Sequence, residues 1–243
     1  MKETQQIKFM FDRIVRRYDL LNHLLSFGQD FFWRKKMAEQ ALSGSACLVL
    51  DLATGTADSA QAVLNRGAKV VGVDISLEML RAGNKKIKKK YKNALFSPIV
   101  ASGYKLPFRD ESFHAVTCAF GIRNMHETES AVREIYRVIK IGGRVVILEF
   151  SLPEGLFKIP YLLYLKKVVP FITSFFSVRS AYEYLGSSIE GFYKPHEFVK
   201  LLENCGFKNI KAIPLSHSCV YIYVGEKTHY DKINYVFRGK EST

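Results

Sequence analysis

The stretch Val49-Leu50-Asp51-Leu52-Ala53-Thr54-Gly55-Thr56-Ala57-Asp58 constrains this chain more than any other. Leu48 to Leu52 is a short apolar run of the kind that forms a buried strand. Small residues follow at alternate positions, Ala53, Gly55 and Ala57, and a helical segment starts near Asp58. Strand, tight turn and helix start let the backbone approach a ligand closely and aim free N–H groups at it. A second apolar strand, Val70 to Val73, ends in Asp74. An ionised carboxylate there only accepts hydrogen bonds and suits the two hydroxyls of a ribose.

The loop is not the dinucleotide fingerprint G-x-G-x-x-G, and no phosphate-binding lysine follows it. Its acid before the turn, Asp51, and its acid after the next strand, Asp74, resemble the S-adenosylmethionine site of Rossmann-like methyltransferases. The competing reading is a tight strand-to-helix turn of any α/β protein.

The formal charge of +13 over 243 residues points to an anionic partner: nucleic acid, an acidic membrane surface or an acidic substrate. Cys47, Cys118, Cys205 and Cys219 are scattered without metal-ligand spacing, which suits reduced, buried thiols and no metal. The polar start of the chain lacks a signal-peptide core. No uncharged apolar run reaches the ~18 residues a membrane span needs. The nearest, 156–178, is broken by Lys158, Lys166, Lys167 and two prolines. A cytoplasmic protein is expected, with peripheral contact at the inner face of the membrane open to it.

The rest reads as alternating helices and strands, which implies right-handed crossovers and a parallel sheet. Residues 7–42 keep a helical period, and Tyr18 and Asn22 share one face of it. Helices are expected over 58–66 and from Ser76 as N-cap to the lysines at 85–90, and strands over 69–74 and about 95–101. A central strand over 113–120 ends in Gly121-Ile122-Arg123-Asn124, polar groups at the edge where open α/β sheets bind ligands. A helix over 128–140 and a Gly142-Gly143 turn lead into a strand over 144–150. Residues 151–192 break the alternation as a partly helical insertion. A helix over 194–205 and two strands around a turn at 215–217 close the chain. The whole forms one domain over 1–243, with an N-terminal helical cap over about 1–45.

Two signatures now carry a closer resemblance. One is Tyr18-Asp19-x-x-Asn22-x-x-x-Ser26-x-Gly28 followed by Trp33; the other runs from Arg137-Val138-Ile139-Lys140 through Gly142-Gly143-Arg144 to Leu148-Glu149-Phe150-Ser151. With Phe120-Gly121-Ile122-Arg123-Asn124 and Tyr182-x-Tyr184-Leu185, they resemble the ubiquinone/menaquinone-biosynthesis C-methyltransferases over residues 9–225. Five positions depart from that family's pattern: Asp30 for a usual His, Ala57 for Gly, Ser102 for Asp or Asn, Ala119 for Ser, and Ile141 for Pro. A methyl at Ala57 is tolerable in the loop if its φ stays negative.

The resemblance implies a seven-stranded, mostly parallel α/β sheet of the Rossmann-like class with a C-terminal antiparallel hairpin. It also implies S-adenosyl-L-methionine as cofactor and methyl transfer to a ring carbon of a reduced polyprenyl quinol. Gly55 and Thr56 would meet the cofactor's amino-acid end, Asp74 its ribose, and Ser102 and Gly103 its adenine. Asp51, Ala53 and Ala119 would complete that site, and Tyr18 and Asn22 would line the cleft. Arg123 and Asn124 would sit near the reacting ring, where arginine stabilises a phenolate but makes a poor base. His23 and His126 are the candidate bases.

The acceptor expected is demethylmenaquinol, with a methoxy-polyprenyl-benzoquinol as the alternative. An RNA methyltransferase would explain the charge, but no RNA-binding module is visible and no nucleic acid is expected. A catalytically inactive scaffold and an NAD-dependent oxidoreductase are weaker readings, and a homo-oligomer is left open.

Overall fold

The computed structural model describes residues 2–42, 48–91, 93, 95–174 and 179–228; Cys47 and the tail beyond 228 lie outside them. Helices α1 (Lys2–Leu25) and α2 (Gln29–Ala41) precede the first strand, β1 (Leu48–Leu52). Then come α3 (Asp58–Leu64), β2 (Lys69–Asp74), α4 (Leu77–Lys90), β3 (Phe96–Val100) and β4 (Phe113–Ala119). α5 (Thr128–Val138) leads to β5 (Ile139–Phe150), and the insertion carries α6 (Lys158–Leu163), α7 (Val169–Ser174) and α8 (Arg179–Glu190). α9 (Pro195–Asn204), β6 (Lys208–Leu215) and β7 (Val220–Glu226) finish the described chain.

The seven strands form one sheet in the order β3-β2-β1-β4-β5-β7-β6. β1 to β5 pair in parallel, and β7 runs antiparallel to both β5 and β6. Both faces are apolar, because successive strand residues feed opposite cores. Leu50 and Val116 join Ile135, Phe198 and Phe207 on one face. Val49 and Ala115 join Met37, Val63 and Ile87 on the other. A third, smaller core is built by the cap and the insertion together: Ile14 and Leu21 of α1 pack on Val169 of α7, edged by Phe11, Tyr18 and Leu185.

Local signals explain the boundaries. Ser76 caps α4 by accepting from the Met79 backbone N–H at 3.0 Å. The helical period over 7–42 holds, but Phe27 (φ 52°) and Gly28 (φ 73°) break it into two helices. Along α1, Leu21 is buried while Leu20 and Leu24 are exposed. The expected helix over 128–140 ends at Val138. β5 starts at Ile139, not at Arg144, because Ile139 pairs with Phe113 before the register shifts to Ala115–Arg144. The Gly142-Gly143 pair is a bulge inside the strand, with the Gly142 N–H bonded to the Lys227 carbonyl at 2.7 Å.

Candidate active site

β1, β2 and β4 end side by side: Leu52 is level with Val73 on one neighbour and Cys118 on the other. The loop after β1 is set by Asp51. Its carboxylate is fully buried and accepts from Thr54 Oγ1 at 2.6 Å and Thr117 Oγ1 at 2.7 Å. Burial pushes its pKa up to about 6, against the pull of those two hydroxyls. Asp51 therefore shapes the loop from below. Asp74 holds the loop from the other side: Oδ2 accepts from the Gly55 N–H and Oδ1 from the Ser76 N–H, each at 2.9 Å. Ala57 takes φ 67°, so the proviso of a negative φ fails and its methyl sits in the left-handed region.

A small cavity of about 100 Å³ opens at this edge. Ala53, Gly55, Asp74, Ser102, Gly103 and Ala119 form its sheet side, and Asn124 and Tyr18 reach it as well. Asn124 Oδ1 is buried there with no hydrogen-bond partner. A buried acceptor of that kind fits a ligand that brings its own N–H or O–H donors, as the adenine amino group and ribose hydroxyls of S-adenosylmethionine do. Asp51, Thr56 and Asn22 are not on this wall.

Thr56 instead donates to Asp19 of α1 at 2.5 Å. That bond belongs to a polar clasp holding α1 over the cavity. Lys86 joins Asp19 (2.7 Å) to Asp58 (2.6 Å), and the Asp12 carboxylate takes the Ser76 hydroxyl. His23 lies between Asp30 (2.8 Å) and Asp58 (3.7 Å). His23, Asp30 and Asp58 could converge on a cation, their ligand atoms lying within 4.8 Å of one another. Arg34 and Lys86, each 2.6 Å from one of the two carboxylates, already balance them, which suits a clasp.

A larger cavity of about 420 Å³ lies beyond Phe11, Tyr18 and Phe120, which line both. Arg123 and Asn22 are on its wall, among aromatic side chains of the core and the insertion. Arg123 and Asn124 are therefore divided: one faces the large cavity, the other the small. Arg123 Nη1 donates to Glu149 Oε1 at 2.6 Å and to the Phe120 carbonyl at 2.8 Å, and Nε reaches Ser188 Oγ at 3.3 Å. The guanidinium also lies over the Phe150 ring, 5.4 Å from its centre.

Neither histidine named from the sequence lines the large cavity. His217 does, at a hairpin tip where Ser216, His217 and Ser218 are all left-handed. Glu149, Tyr161 and His217 were missed. Only Glu149 carried a signal, an acid inside an otherwise apolar strand.

A model of the ubiE/COQ5 methyltransferase family matches residues 1–227. The chain belongs to this family. It is 42% identical over 230 residues to the ubiquinone/menaquinone biosynthesis C-methyltransferase UbiE of Geotalea uraniireducens, covering 93% of this chain and 98% of that one. It is 40% identical over 233 residues to the demethylmenaquinone methyltransferase of Chlorobaculum parvum, covering 93% and 94%. Among solved structures, an S-adenosylmethionine-dependent methyltransferase from Thermotoga maritima shares the fold. Its TM-score is 0.63 at 17% identity, over 91% of this chain and all of that one. As a ubiE/COQ5-family protein the chain is an S-adenosylmethionine-dependent C-methyltransferase of Rossmann-like fold.

Proposed function

We propose that this enzyme methylates a ring carbon of a reduced polyprenyl quinol, converting demethylmenaquinol to menaquinol. One observation carries the reading: an apolar cavity bearing Arg123 adjoins the small cavity bearing Asp74 and Asn124 across Phe11, Tyr18 and Phe120. Cofactor and acceptor would meet there.

Asp74, Ser102, Gly103 and Asn124 would hold the nucleoside, with Ala53, Gly55 and Ala119 as close-fitting walls. Asp51 and Thr56 would act through the loop and the α1 clasp. When bound, S-adenosylmethionine supplies an electrophilic methyl group on a sulfonium sulfur. The aromatic walls keep the acceptor ring dry and aligned, which shortens the approach and strengthens every charge interaction. Arg123 stays protonated and stabilises negative charge on a ring oxygen, which raises electron density at the neighbouring carbon. The ring carbon that gains the methyl then loses its own proton to restore aromaticity.

A polyprenyl tail is worth about 0.8 kcal/mol per buried methylene and would stay in the bilayer. Phe27, on the wall of the large cavity, is 79% exposed, and in the insertion Leu156 and Ile159 are 92% and 76% exposed. Lys158 lies between Leu156 and Ile159, and Lys166 and Lys167 follow in the same insertion. No helix among the described residues is long and apolar enough to cross a membrane. Peripheral docking of this face on anionic lipid would admit the quinol ring. Ile159→Asp should then reduce co-sedimentation with phosphatidylglycerol vesicles at low salt; unchanged binding would reject this face.

The test of the reaction is methyl transfer from labelled S-adenosylmethionine to chemically reduced short-chain demethylmenaquinol, beside the matching methoxy-benzoquinol. Transfer to the naphthoquinol alone supports menaquinone synthesis. Transfer to both makes a dual enzyme, and transfer to neither rejects the quinol reading.

A further inference from the structure

We propose that the Tyr161 hydroxyl is a second catalytic donor, which with Arg123 grips one ring oxygen of the acceptor in its phenolate form. This rests on the reading that the acceptor fills the larger cavity. Three tyrosines of the insertion line that cavity, Tyr161, Tyr164 and Tyr184, and they are not equivalent. The Tyr164 hydroxyl is committed to the Leu25 carbonyl at 2.6 Å and ties the insertion to the end of α1. Tyr184 makes contacts of its own within the fold. Tyr161, on α6, makes no hydrogen bond to a described residue, yet its side chain is drawn into the wall of an apolar cavity.

Once an acceptor ring fills the cavity and displaces its water, a phenol hydroxyl on this wall needs an oxygen as its partner. A ligand oxygen would satisfy it. Arg123, Cys219 and Tyr164 line the same cavity as Tyr161, and they and Glu149 are the charged or titratable groups close enough to act on it electrostatically. Burial raises its pKa well beyond the ordinary value, more than the nearby Arg123 lowers it. Tyr161 therefore stays protonated over the working range and acts as donor, never as base.

Arg123 alone is a compromised oxyanion partner, because the Glu149 carboxylate 2.6 Å away offsets its charge. A neutral donor beside it adds stabilisation to the oxygen without adding net charge to a dry pocket. The role is the one filled by paired donors in oxyanion holes, where loss of one donor lowers turnover by roughly 10²–10³-fold.

Tyr161→Phe removes one oxygen and little else. With reduced short-chain demethylmenaquinol, its kcat should fall about 10²-fold while S-adenosylmethionine affinity by calorimetry stays unchanged. The acid limb of its kcat–pH profile should also move to higher pH, because the bound phenol ionises less readily. Tyr164→Phe should lower Tm and leave that limb in place. A Tyr161→Phe enzyme with kcat within twofold of wild type and an unmoved limb overturns the proposal. Should the wild type methylate no quinol, the function reading fails on its own. The donor role is then read from the absorbance of bound 4-nitrophenol. A lower apparent pKa of that probe in wild type than in Tyr161→Phe supports the donor, and equal values reject it.

Discussion

Glu149 holds Arg123 by both its side chain and its backbone. The carboxylate takes the guanidinium at 2.6 Å, the Arg123 N–H at 3.3 Å and the Phe150 N–H at 2.9 Å, and is itself 0% exposed. Burial raises its pKa while Arg123 pulls it back. Glu149→Gln keeps the shape and removes the charge, leaving a guanidinium that is 7% exposed without its counter-ion. Breaking a buried pair in this way costs about 3–5 kcal/mol when nothing replaces the partner, and less where an amide oxygen does. The expected result is a lower Tm and, because a guanidinium that loses its anchor gives up more than the charge Glu149 no longer offsets, a lower kcat with cofactor affinity unchanged, measured by thermal melts, turnover and calorimetry. A variant that keeps wild-type kcat would show that Arg123 does not depend on this carboxylate.

Asp51 makes stability fall as pH rises. Its ordinary pKa of 3.8 is raised to about 6 in the fold, chiefly by burial. Between those values the folded chain binds more protons than the unfolded one, so the cost of burying the charge grows from about pH 4 to 6 and is then constant. Asp51→Asn should be more stable than wild type by about 2–3 kcal/mol at pH 8, and the gap should close near pH 4. Urea unfolding at pH 4, 6 and 8 checks both the sign and the window.

Gly83 lets α4 approach the loop after β1. A Cβ built there would lie 3.0 Å from both the Ala57 Cβ and the Thr56 carbonyl carbon. Gly83→Ala must push the loop, so stability should fall by about 1–3 kcal/mol, and S-adenosylmethionine affinity should fall with it. Normal affinity by calorimetry would mean the loop accommodates the methyl elsewhere.

Asn124 bears its unpaired Oδ1 at a cost before any ligand arrives. Asn124→Leu keeps the branched shape and the number of side-chain heavy atoms, is bulkier by its methyl hydrogens, and has no buried acceptor. The ligand-free variant should gain about 1–2 kcal/mol of stability and lose cofactor affinity by tenfold or more. Thermal melts with and without cofactor separate the two effects.

The elements that could be read along the chain are those whose signals are local. Lys69–Asp74 and the Ser76 cap follow from an apolar run and one hydroxyl at the right offset. The start of β5 could not be read, because Ile139 and Ile141 continue the helical period of α5. What overrides them is pairing with Phe113 and contact with Lys227, both distant in sequence. Of the residues named along the chain for the site, all but Asp51, Thr56 and the two histidines line one of the two cavities, but which cavity each would line could not be read. Arg123 and Asn124 lie in a single 3₁₀ turn, Ile122–Asn124, where each residue rotates by about a third of a circle. Adjacent residues thus serve different cavities. Tyr161 gives no signal at all, since among the aromatics of the insertion only tertiary packing distinguishes a spent hydroxyl from a free one.

The small core shared by α1 and α7 has a kinetic consequence. A cofactor seated behind Asp74 and Asn124, as proposed above, would need more room than the about 100 Å³ open there, because ligands of nucleoside size occupy a few hundred Å³, so α1 is expected to lift for it to enter and leave. Ile14 and Leu21 cannot leave Val169 without disturbing Tyr18, Tyr164 and Leu185, which also wall the acceptor cavity. The two compartments share one door frame. An acceptor seated against Tyr18 and Leu185 braces α1 shut, so the methylated quinol should depart before the spent cofactor. Product-inhibition patterns should show that order, and random release would mean that α1 opens without the insertion.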